Sequence, residues 1–425
     1  MQIASGSSSL GEPKAASSAP GLRPFVFALF FVFGGITSLN DVLIPKLKSL
    51  FSLNYAEAML VQFAFFLAYF LVSAPAGALI QRIGYLRAAV LGLMTMTLGC
   101  LLFIPACAYG LYAAFLVALF VLASGITIVQ VVVNPLICVL GAPETAHSRL
   151  NFAQAFNSLG TTLFPYLGAL LILRPLADGA PAASAAEGAF NPAEAAMMSH
   201  TYLALALFLL LVAAVVWLQR NRLTENHESG SGLSGALTLL RRPRLALGAL
   251  GIFVYVGAEV AIGSMLVSYL MQADTMALTA ETAGKRVALY WGGALFGRFA
   301  GAELLRRFSP PQVLTVAALG AMGLLLLSGF GTGALSGAAL ISVGLFNSVM
   351  FPTIFSLASE GLGDRAPGGS GLICMAIVGG AIVPVIAGAV ADVSTLRAAL
   401  LVPFLCYGGI AAYGRFCNVR PVGAD

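Results

Sequence analysis

The stretch FVFALFFVFGGITSLNDVLIP, residues 25–45, combines a long apolar run with one carboxylic acid, Asp41. A second such stretch, LALGALGIFVYVGAEVAIGSMLV at residues 245–267, holds Glu259 at the matching place in the other half of the chain. A carboxylic acid at membrane depth costs roughly 2.5 to 3.5 kcal/mol, so it usually faces a cavity, a substrate path or a proton relay. The alternative is an inert acid near a helix end that reaches the lipid headgroups.

The composition predicts a membrane protein. The chain has 425 residues, of which 59% are hydrophobic and 9% charged, and its mean hydropathy is +0.94. Soluble domains carry about 25% charged residues, and a membrane helix needs roughly twenty apolar residues. Twelve runs meet this requirement, at residues 25–48, 57–80, 87–106, 110–139, 150–173, 200–219, 245–271, 285–306, 312–330, 335–358, 368–391 and 397–416. We therefore predict an all-α membrane protein with twelve transmembrane helices.

The twelve runs are predicted to form two pseudo-symmetric bundles of six helices. NPLICVLG at residues 134–141 is echoed by FPTIFSLA at residues 351–358, and such parallel repeats are typical of the major facilitator class of secondary transporters. The predicted organisation is a disordered cytoplasmic tail at 1–23, an N-terminal bundle at 24–219, a cytoplasmic linker at 220–243, a C-terminal bundle at 244–416 and a cytoplasmic tail at 417–425.

The basic residues predict how the chain is oriented. With both termini in the cytoplasm, most Lys and Arg residues fall on the inner side, as positively charged cytoplasmic loops require. The formal net charge of +5 comes from helix ends and not from one basic patch, so nucleic acid is not an expected partner. The expected location is the bacterial inner membrane, with many crossings of the lipid bilayer.

Polar residues are concentrated in a few of the runs. In the fourth and fifth runs they recur every three or four residues, which places them on one helix face, whereas the sixth and ninth runs are almost purely apolar. We predict that runs 1, 2, 4 and 5 and their counterparts surround a wet cavity, with runs 3, 6, 9 and 12 outside. The alternative is that the amides only join helices to one another.

A cavity lined by amides suits a neutral, polyhydroxylated ligand, because each Asn or Gln offers donors and an acceptor to neighbouring hydroxyls. Tyr290 and Trp291 are candidates to cover the apolar face of a sugar ring. The predicted substrate-binding residues are Asn40, Gln62, Gln130, Asn134, Gln154, Asn157, Glu259, Tyr290, Trp291 and Asn347.

Proton coupling requires a group that can titrate within the path. Asp41 is the candidate, since no basic residue lies on the polar faces of the N-terminal half to hold it permanently ionised. Glu259 is either a second proton site or a direct acceptor for substrate hydroxyls, and the sequence leaves both open.

The loop GALIQRIGYLR, residues 77–87, resembles the general loop motif of facilitators, with Gln81 in place of the usual aspartate. Its glycine permits close helix packing and its arginines bind acidic groups and helix ends. The predicted gate and structural residues are Gly77, Arg82, Gly84, Arg87, Arg149 and Arg298.

Nothing in the sequence predicts an enzyme. The histidines, His147, His200 and His227, are expected in loops, far apart and without metal-ligand spacing. The six cysteines show no paired spacing, and there is no phosphate-binding loop for ATP. No metal or other cofactor is therefore predicted. The proton, for which Asp41 is the candidate carrier, is the only expected coupling ion.

Several segments together resemble one family, the fucose–galactose–glucose:proton symporters of the major facilitator superfamily. They are SLNDVLIPKLK, QFAFFLAYFLVSAPAG, ASGITIVQVVVNPLICVLG, SRLNFAQAFNSLGTTLFPYLG, YVGAEVAIGS, GRFAG and NSVMFPTIFSLA. The resemblance implies a role for Asp41 in proton coupling and for Gln154 and Asn157 in sugar binding. Fucose permeases carry a glutamate where this chain has Gln130 and a glutamine where it has Glu259, so the glucose/galactose or N-acetylglucosamine branch is favoured.

The resulting prediction is a monomeric proton-coupled symporter that imports a neutral, glucose- or galactose-like hexose by alternating access. An N-acetylglucosamine or fucose permease and an uncoupled sugar uniporter are alternatives within the class. A sugar sensor that binds without transport is the alternative from another class, although no sizeable soluble domain is predicted to carry its signal.

Overall fold

The computed structural model describes residues 20–51, 55–172, 192–223 and 232–420, and within these ranges the chain is helical, without a β-strand. The helices are α1 (Arg23–Leu50), α2 (Tyr55–Ile83), α3 (Tyr85–Tyr109), α4 (Tyr112–Val139), α5 (Ala146–Ile172), α6 (Pro192–Leu218), α7 (Gly232–Thr238), α8 (Pro243–Met271), α9 (Ala280–Arg307), α10 (Pro310–Phe330), α11 (Gly333–Asn347), α12 (Met350–Ser359), α13 (Ala366–Met375), α14 (Gly379–Val393), α15 (Leu396–Ala399) and α16 (Leu401–Val419).

Each of the twelve predicted runs coincides with one helix or with two consecutive helices. In the described part of the chain, nine helical spans are long and apolar enough to cross a membrane, and Arg23–Leu39 is a shorter apolar helix. The all-helical membrane fold is therefore confirmed. Parts of the predicted tails and linker, residues 1–19, 224–231 and 421–425, lie outside the described residues.

Glycine and proline set several helix ends. Gly84, between α2 and α3, has φ +87°, a conformation that side chains with a Cβ rarely adopt. Gly110 ends α3 in the left-handed region, and its N–H donates to the Ala106 carbonyl at 3.0 Å. Pro243 and Pro310 begin α8 and α10, where the missing N–H has no helical partner to lose.

The repeated proline segment behaves differently in the two halves. In the C-terminal half the helix breaks between α11 and α12, just before Pro352. Proline favours such a break, because it removes one helical hydrogen bond and clashes with the preceding turn. α4 instead continues through Pro135. The Val131 carbonyl, four residues before that proline, accepts a hydrogen bond of 2.8 Å from the Ser370 hydroxyl of the other half. A carbonyl freed by proline thus joins the two halves.

The helices α1–α6 and α8–α16 contact each other mainly at one end of the molecule. We call this the linker end, because α6 ends there and α8 begins there. At the linker end, α5 packs on α9 and α12, and α2 packs on α13. Six side-chain hydrogen bonds that join the halves lie there.

Large apolar side chains are exposed on the helices that were predicted to lie outside. Examples are Leu98 of α3, Leu211 of α6, Val316 of α10 and Leu405 of α16, and side chains such as Phe296 of α9 and Val385 of α14, on helices predicted to surround the cavity, are exposed as well. By contrast, α4 is buried along most of its length. This distribution is what a lipid-facing perimeter around a polar interior requires.

Candidate functional site

The predicted amides of α4 and α5 are buried next to one another in the N-terminal half. Gln154 donates from its side-chain nitrogen to Asn134 Oδ1 at 3.3 Å, and Gln130 Oε1 accepts from the Tyr69 hydroxyl of α2 at 2.8 Å. The amide nitrogen of Asn134 is buried with no oxygen or nitrogen acceptor among the described residues, and its neighbour is the Cys374 thiol, a weak acceptor. A buried donor without a partner costs about 1 to 3 kcal/mol, so this cluster has hydrogen-bonding capacity left for a ligand.

Asn157 lies one turn further along α5 and is half-buried. Its side-chain nitrogen donates to the Phe30 carbonyl of α1 over 3.4 Å. The close approach depends on Gly34, because a Cβ there would come within 2.5 Å of the Asn157 carbonyl oxygen. Asn157 is therefore held directly against α1, the helix that carries Asp41.

Glu259 belongs to a second polar cluster, in the C-terminal half. The Tyr255 hydroxyl, one turn earlier on α8, lies 2.8 Å from Glu259 Oε1 and 3.0 Å from the Asn347 carbonyl. That carbonyl is available to Tyr255 because α11 ends at Asn347, so its own helix does not continue to supply a donor. The Asn347 side chain donates to the Tyr290 hydroxyl at 2.8 Å and accepts from the Tyr407 hydroxyl at 2.7 Å. The helix break thus organises the surroundings of Glu259.

Replacing Asn347 tests whether this cluster stabilises the fold. Asn347→Leu leaves the buried Tyr407 hydroxyl without its acceptor and removes the donor to Tyr290, at a cost of about 1 to 3 kcal/mol for each group left unpaired. We expect a lower midpoint of thermal unfolding in detergent. Ser342→Ala is the matched control on the same helix, because Ser342 is exposed and bonds only its own helix. Equal midpoints for the two variants would contradict a stabilising role.

Arg298 of α9 contacts the amide cluster from the other half of the chain. Its guanidinium donates to the Gln154 carbonyl at 3.0 Å and to the Ser158 hydroxyl, both on α5. The Asn151 side chain donates to the Arg298 carbonyl at 2.6 Å. Arg298 was predicted from the sequence as a gate or structural residue. In the structure it forms hydrogen bonds between the two halves, next to Gln154 of the amide cluster.

A second bridge at the linker end involves a histidine. His147 contacts the Ser356 hydroxyl at 2.6 Å and Glu360 at 2.8 Å, and Glu360 also pairs with Arg244. The sequence-based expectation that His147 and His200 lie in loops is wrong, since they belong to α5 and α6. Their helices begin before the apolar run, which hydropathy alone does not reveal.

The predicted gate and structural residues have different surroundings. A Cβ on Gly77 would come within 2.5 Å of the Pro367 carbonyl oxygen, so α2 and α13 touch there. Arg149 donates to the carbonyls of Ile137, Cys138 and Ala142 at 3.2, 2.6 and 2.7 Å. It therefore caps the end of α4 within its own half. Arg82 and Arg87 are exposed.

Other predicted site residues are only partly characterised by the structure. The side chains of Asn40 and Asp41 lie outside the described part of the chain. Gln62 is half-buried on α2. Tyr290 is fully buried, while Trp291 is 45% exposed and packs edge-on against the Tyr290 ring, with 5.1 Å between the ring centroids. The described residues contain no group of three or more potential metal ligands.

Sequence reasoning did not include Tyr255 and Tyr407 among the site residues. Tyr255 precedes Glu259 by one helical turn, a spacing that places the two side chains on one face, so the signal was present. Tyr407 lies on α16, in a mostly apolar run, and nothing in its local sequence relates it to Asn347.

Comparison with known proteins agrees with this architecture. The family model described as Major Facilitator Superfamily matches residues 25–384. A protein named glucose/galactose transporter from Brucella abortus biovar 1 (strain 9-941) is 48% identical over 386 residues, which cover 91% of each chain. The L-fucose-proton symporter of Escherichia coli (strain K12) is 34% identical over 418 residues, covering 95% of this chain and 94% of its own.

A solved structure has the same fold over nearly the whole chain. It is described as a Major Facilitator Superfamily transporter, FucP, in the outward conformation, and it matches with a TM-score of 0.82 and 33% sequence identity. The match covers 94% of this chain and 99% of the other. The helical architecture, the family match and these relatives agree, and the chain belongs to the Major Facilitator Superfamily of membrane transporters.

Proposed function

We propose that this transporter is a proton-coupled symporter that imports a neutral hexose, glucose or galactose, by alternating access. The observation that carries the proposal is the buried amide cluster of Gln130, Asn134 and Gln154, in which the Asn134 nitrogen has no oxygen or nitrogen acceptor among the described residues. Paired amide donors and acceptors suit vicinal hydroxyls. The names of the relatives, a glucose/galactose transporter and an L-fucose-proton symporter, support the sugar class and the proton as coupling ion.

In this proposal the two halves supply different groups to the sugar. Asn40, Gln62, Gln130, Asn134, Gln154 and Asn157 are the hydroxyl-binding residues of the N-terminal half, and Trp291 covers an apolar face of the ring. Glu259 accepts from a hydroxyl or titrates. Tyr290 positions α8 there, because its hydroxyl donates to the Glu259 backbone carbonyl at 3.4 Å, and Asn347 donates to that hydroxyl at 2.8 Å. Asp41 carries the coupled proton, and no other cofactor takes part.

The transport cycle follows from closure at the linker end. With the linker end placed in the cytoplasm, as proposed, the hydrogen bonds between the halves at that end support an outward-facing conformation. Protonated Asp41 favours this sugar-accepting state. Binding of the sugar permits the halves, residues 24–219 and 244–416, to rock, and release of the proton to the cytoplasm resets the carrier.

The proposed setting is the bacterial inner membrane. Both termini and the linker lie on the cytoplasmic side, since that orientation leaves most basic residues inside. A self-contained bundle needs no partner chain, so the working unit is a monomer in lipid.

Uptake into proteoliposomes tests the proposal. We expect an inward proton gradient to drive accumulation of labelled glucose, with unlabelled galactose competing more strongly than fucose or N-acetylglucosamine. Stronger competition by either of these sugars would reassign the substrate within the family. Equilibration without accumulation would make the protein a uniporter, and sugar binding without movement would make it a sensor.

A further inference from the structure

Trp291 of α9 lies against α8 at a position where only a glycine leaves room for it. A Cβ on Gly263 would lie 3.3 Å from Trp291 Cζ2, closer than the roughly 3.5 to 4.0 Å at which two carbon atoms attract best. The indole also packs edge-on against the buried Tyr290 ring, with 5.1 Å between the ring centroids. The backbone of α8 and the Tyr290 ring therefore fix where the tryptophan lies.

Gly263 is on the face of α8 that carries Glu259. Tyr255, Glu259 and Gly263 follow one another at intervals of four residues, a spacing that places them on one side of a helix. The Tyr255 hydroxyl contacts Glu259 Oε1 at 2.8 Å, and the Tyr290 hydroxyl donates to the Glu259 backbone carbonyl at 3.4 Å. Trp291 consequently meets α8 one turn beyond Glu259, on the side away from the linker end.

Trp291 is also on the face of α9 that is turned toward the other half of the chain. Arg298 follows it by seven residues, almost two full turns, so the two side chains leave the helix in nearly the same direction. The Arg298 guanidinium contacts the Gln154 carbonyl and the Ser158 hydroxyl of α5, which shows what that direction is. Trp291 lies about 10 Å further from the linker end along α9.

The exposed surface of Trp291 therefore borders the space between the halves. The residue is 45% exposed, and the halves contact each other mainly at the linker end. An indole in that space offers a flat apolar surface beside the polar cluster of Glu259. Such a combination suits a sugar, since a hexose ring has an apolar face as well as hydroxyls.

We propose that Gly263 is the positioning residue for an aromatic sugar contact in the C-terminal half. Its missing side chain lets the Trp291 indole lie against α8, where the indole covers the apolar face of a hexose bound beside Glu259. A side chain at residue 263 would push the indole into the space that the sugar occupies. This inference rests on the proposed function and deepens it, because it identifies what sets the width of the site.

Fluorescence of Trp291 tests its placement without any sugar. The chain has two tryptophans, and the other one, Trp217, packs against Arg220, so Trp217→Phe leaves Trp291 as the only emitter. The full-length protein is placed in nanodiscs, where both membrane faces meet the solution. We expect iodide in the water to quench Trp291 and nitroxide-labelled lipids to have little effect. The opposite pattern would place the indole against the bilayer and overturn the proposal.

Binding of labelled glucose in the same nanodiscs tests the role of Gly263. We expect Gly263→Val to increase quenching by iodide and to weaken glucose binding about fivefold, the effect of losing one good aromatic contact. Gly263→Ala adds only the Cβ and should shift both readouts less, in the same direction. Once Trp291→Phe is in place, Gly263→Val should weaken binding no further, because the smaller ring does not reach residue 263.

Gly284→Val, on the same helix as Trp291, is the matched control, since a Cβ at Gly284 meets nothing within 4 Å. It should change neither quenching nor affinity. Equal affinities for Gly263→Val and Gly284→Val would overturn the proposal, and so would a loss of affinity that persists in full beside Trp291→Phe. In both cases the wild type still binds glucose, so the proposed function stands. A wild type that binds no hexose would overturn the proposed function and the sugar contact together.

Discussion

Asp41→Asn is expected to abolish gradient-driven accumulation while exchange of sugar across the membrane continues. Each pH unit is worth about 1.36 kcal/mol, so an inward gradient of two units supports roughly 100-fold accumulation for one proton per sugar. An amide cannot carry the proton, and an uncoupled carrier only equilibrates its substrate. The expected accumulation ratio of the variant is therefore about one, because no coupling free energy remains.

The measurement is uptake of labelled glucose into proteoliposomes with and without the gradient, beside counterflow against internal unlabelled glucose. Asp392→Asn is the matched control, since Asp392 is an exposed carboxylate of α14. It should accumulate like wild type. If Asp41→Asn accumulated sugar normally, the coupling site would have to be assigned elsewhere, with Glu259 as the next candidate. If it lost counterflow as well, Asp41 would be needed for binding or folding and not for coupling alone.

Hydropathy predicted the helices well because the bilayer imposes one length and one composition on every crossing segment. The amide spacing on α4 and α5 likewise predicted a shared face, and Gln154 and Asn134 do meet. These features depend on residues close together in the sequence, for which helical periodicity is a sufficient guide.

Contacts between distant segments could not be predicted in this way. The bond from Tyr407 to Asn347 and that from Ser370 to Val131 depend on how helices far apart in sequence pack. The break between α11 and α12 was not predicted either. Proline alone is not a sufficient signal for a break, because α4 continues through Pro135 in the matching segment of the other half. Neighbouring helices decide which freed carbonyl finds a donor.

Close packing at Gly77 leads to the second large expected effect, on closure of the linker end. A Cβ at this position would come within 2.5 Å of the Pro367 carbonyl oxygen, which is backbone and cannot move aside alone. Across the same contact, a Cβ on Gly371 would come within 2.5 Å of the Ser73 carbonyl oxygen. Both helices therefore approach at backbone distance, and neither side leaves room for a side chain.

Gly77→Val should consequently destabilise the closed linker end by about 1 to 3 kcal/mol, the usual cost of overpacking, which corresponds to roughly a 5- to 150-fold shift of the equilibrium. We expect uptake to fall by a similar factor, and a pair of spin labels at the exposed linker-end positions Ala142→Cys and Phe308→Cys to report a longer distance. Gly323→Val on α10 is the matched control, because a Cβ at Gly323 meets nothing within 4 Å. Normal uptake by both variants would show that the contact of α2 with α13 is not part of the transport cycle. Strain at a gate must lower the fraction of molecules in which that gate is closed. Loss of uptake without a change in the fraction of closed linker ends would therefore place the defect in folding or in sugar binding.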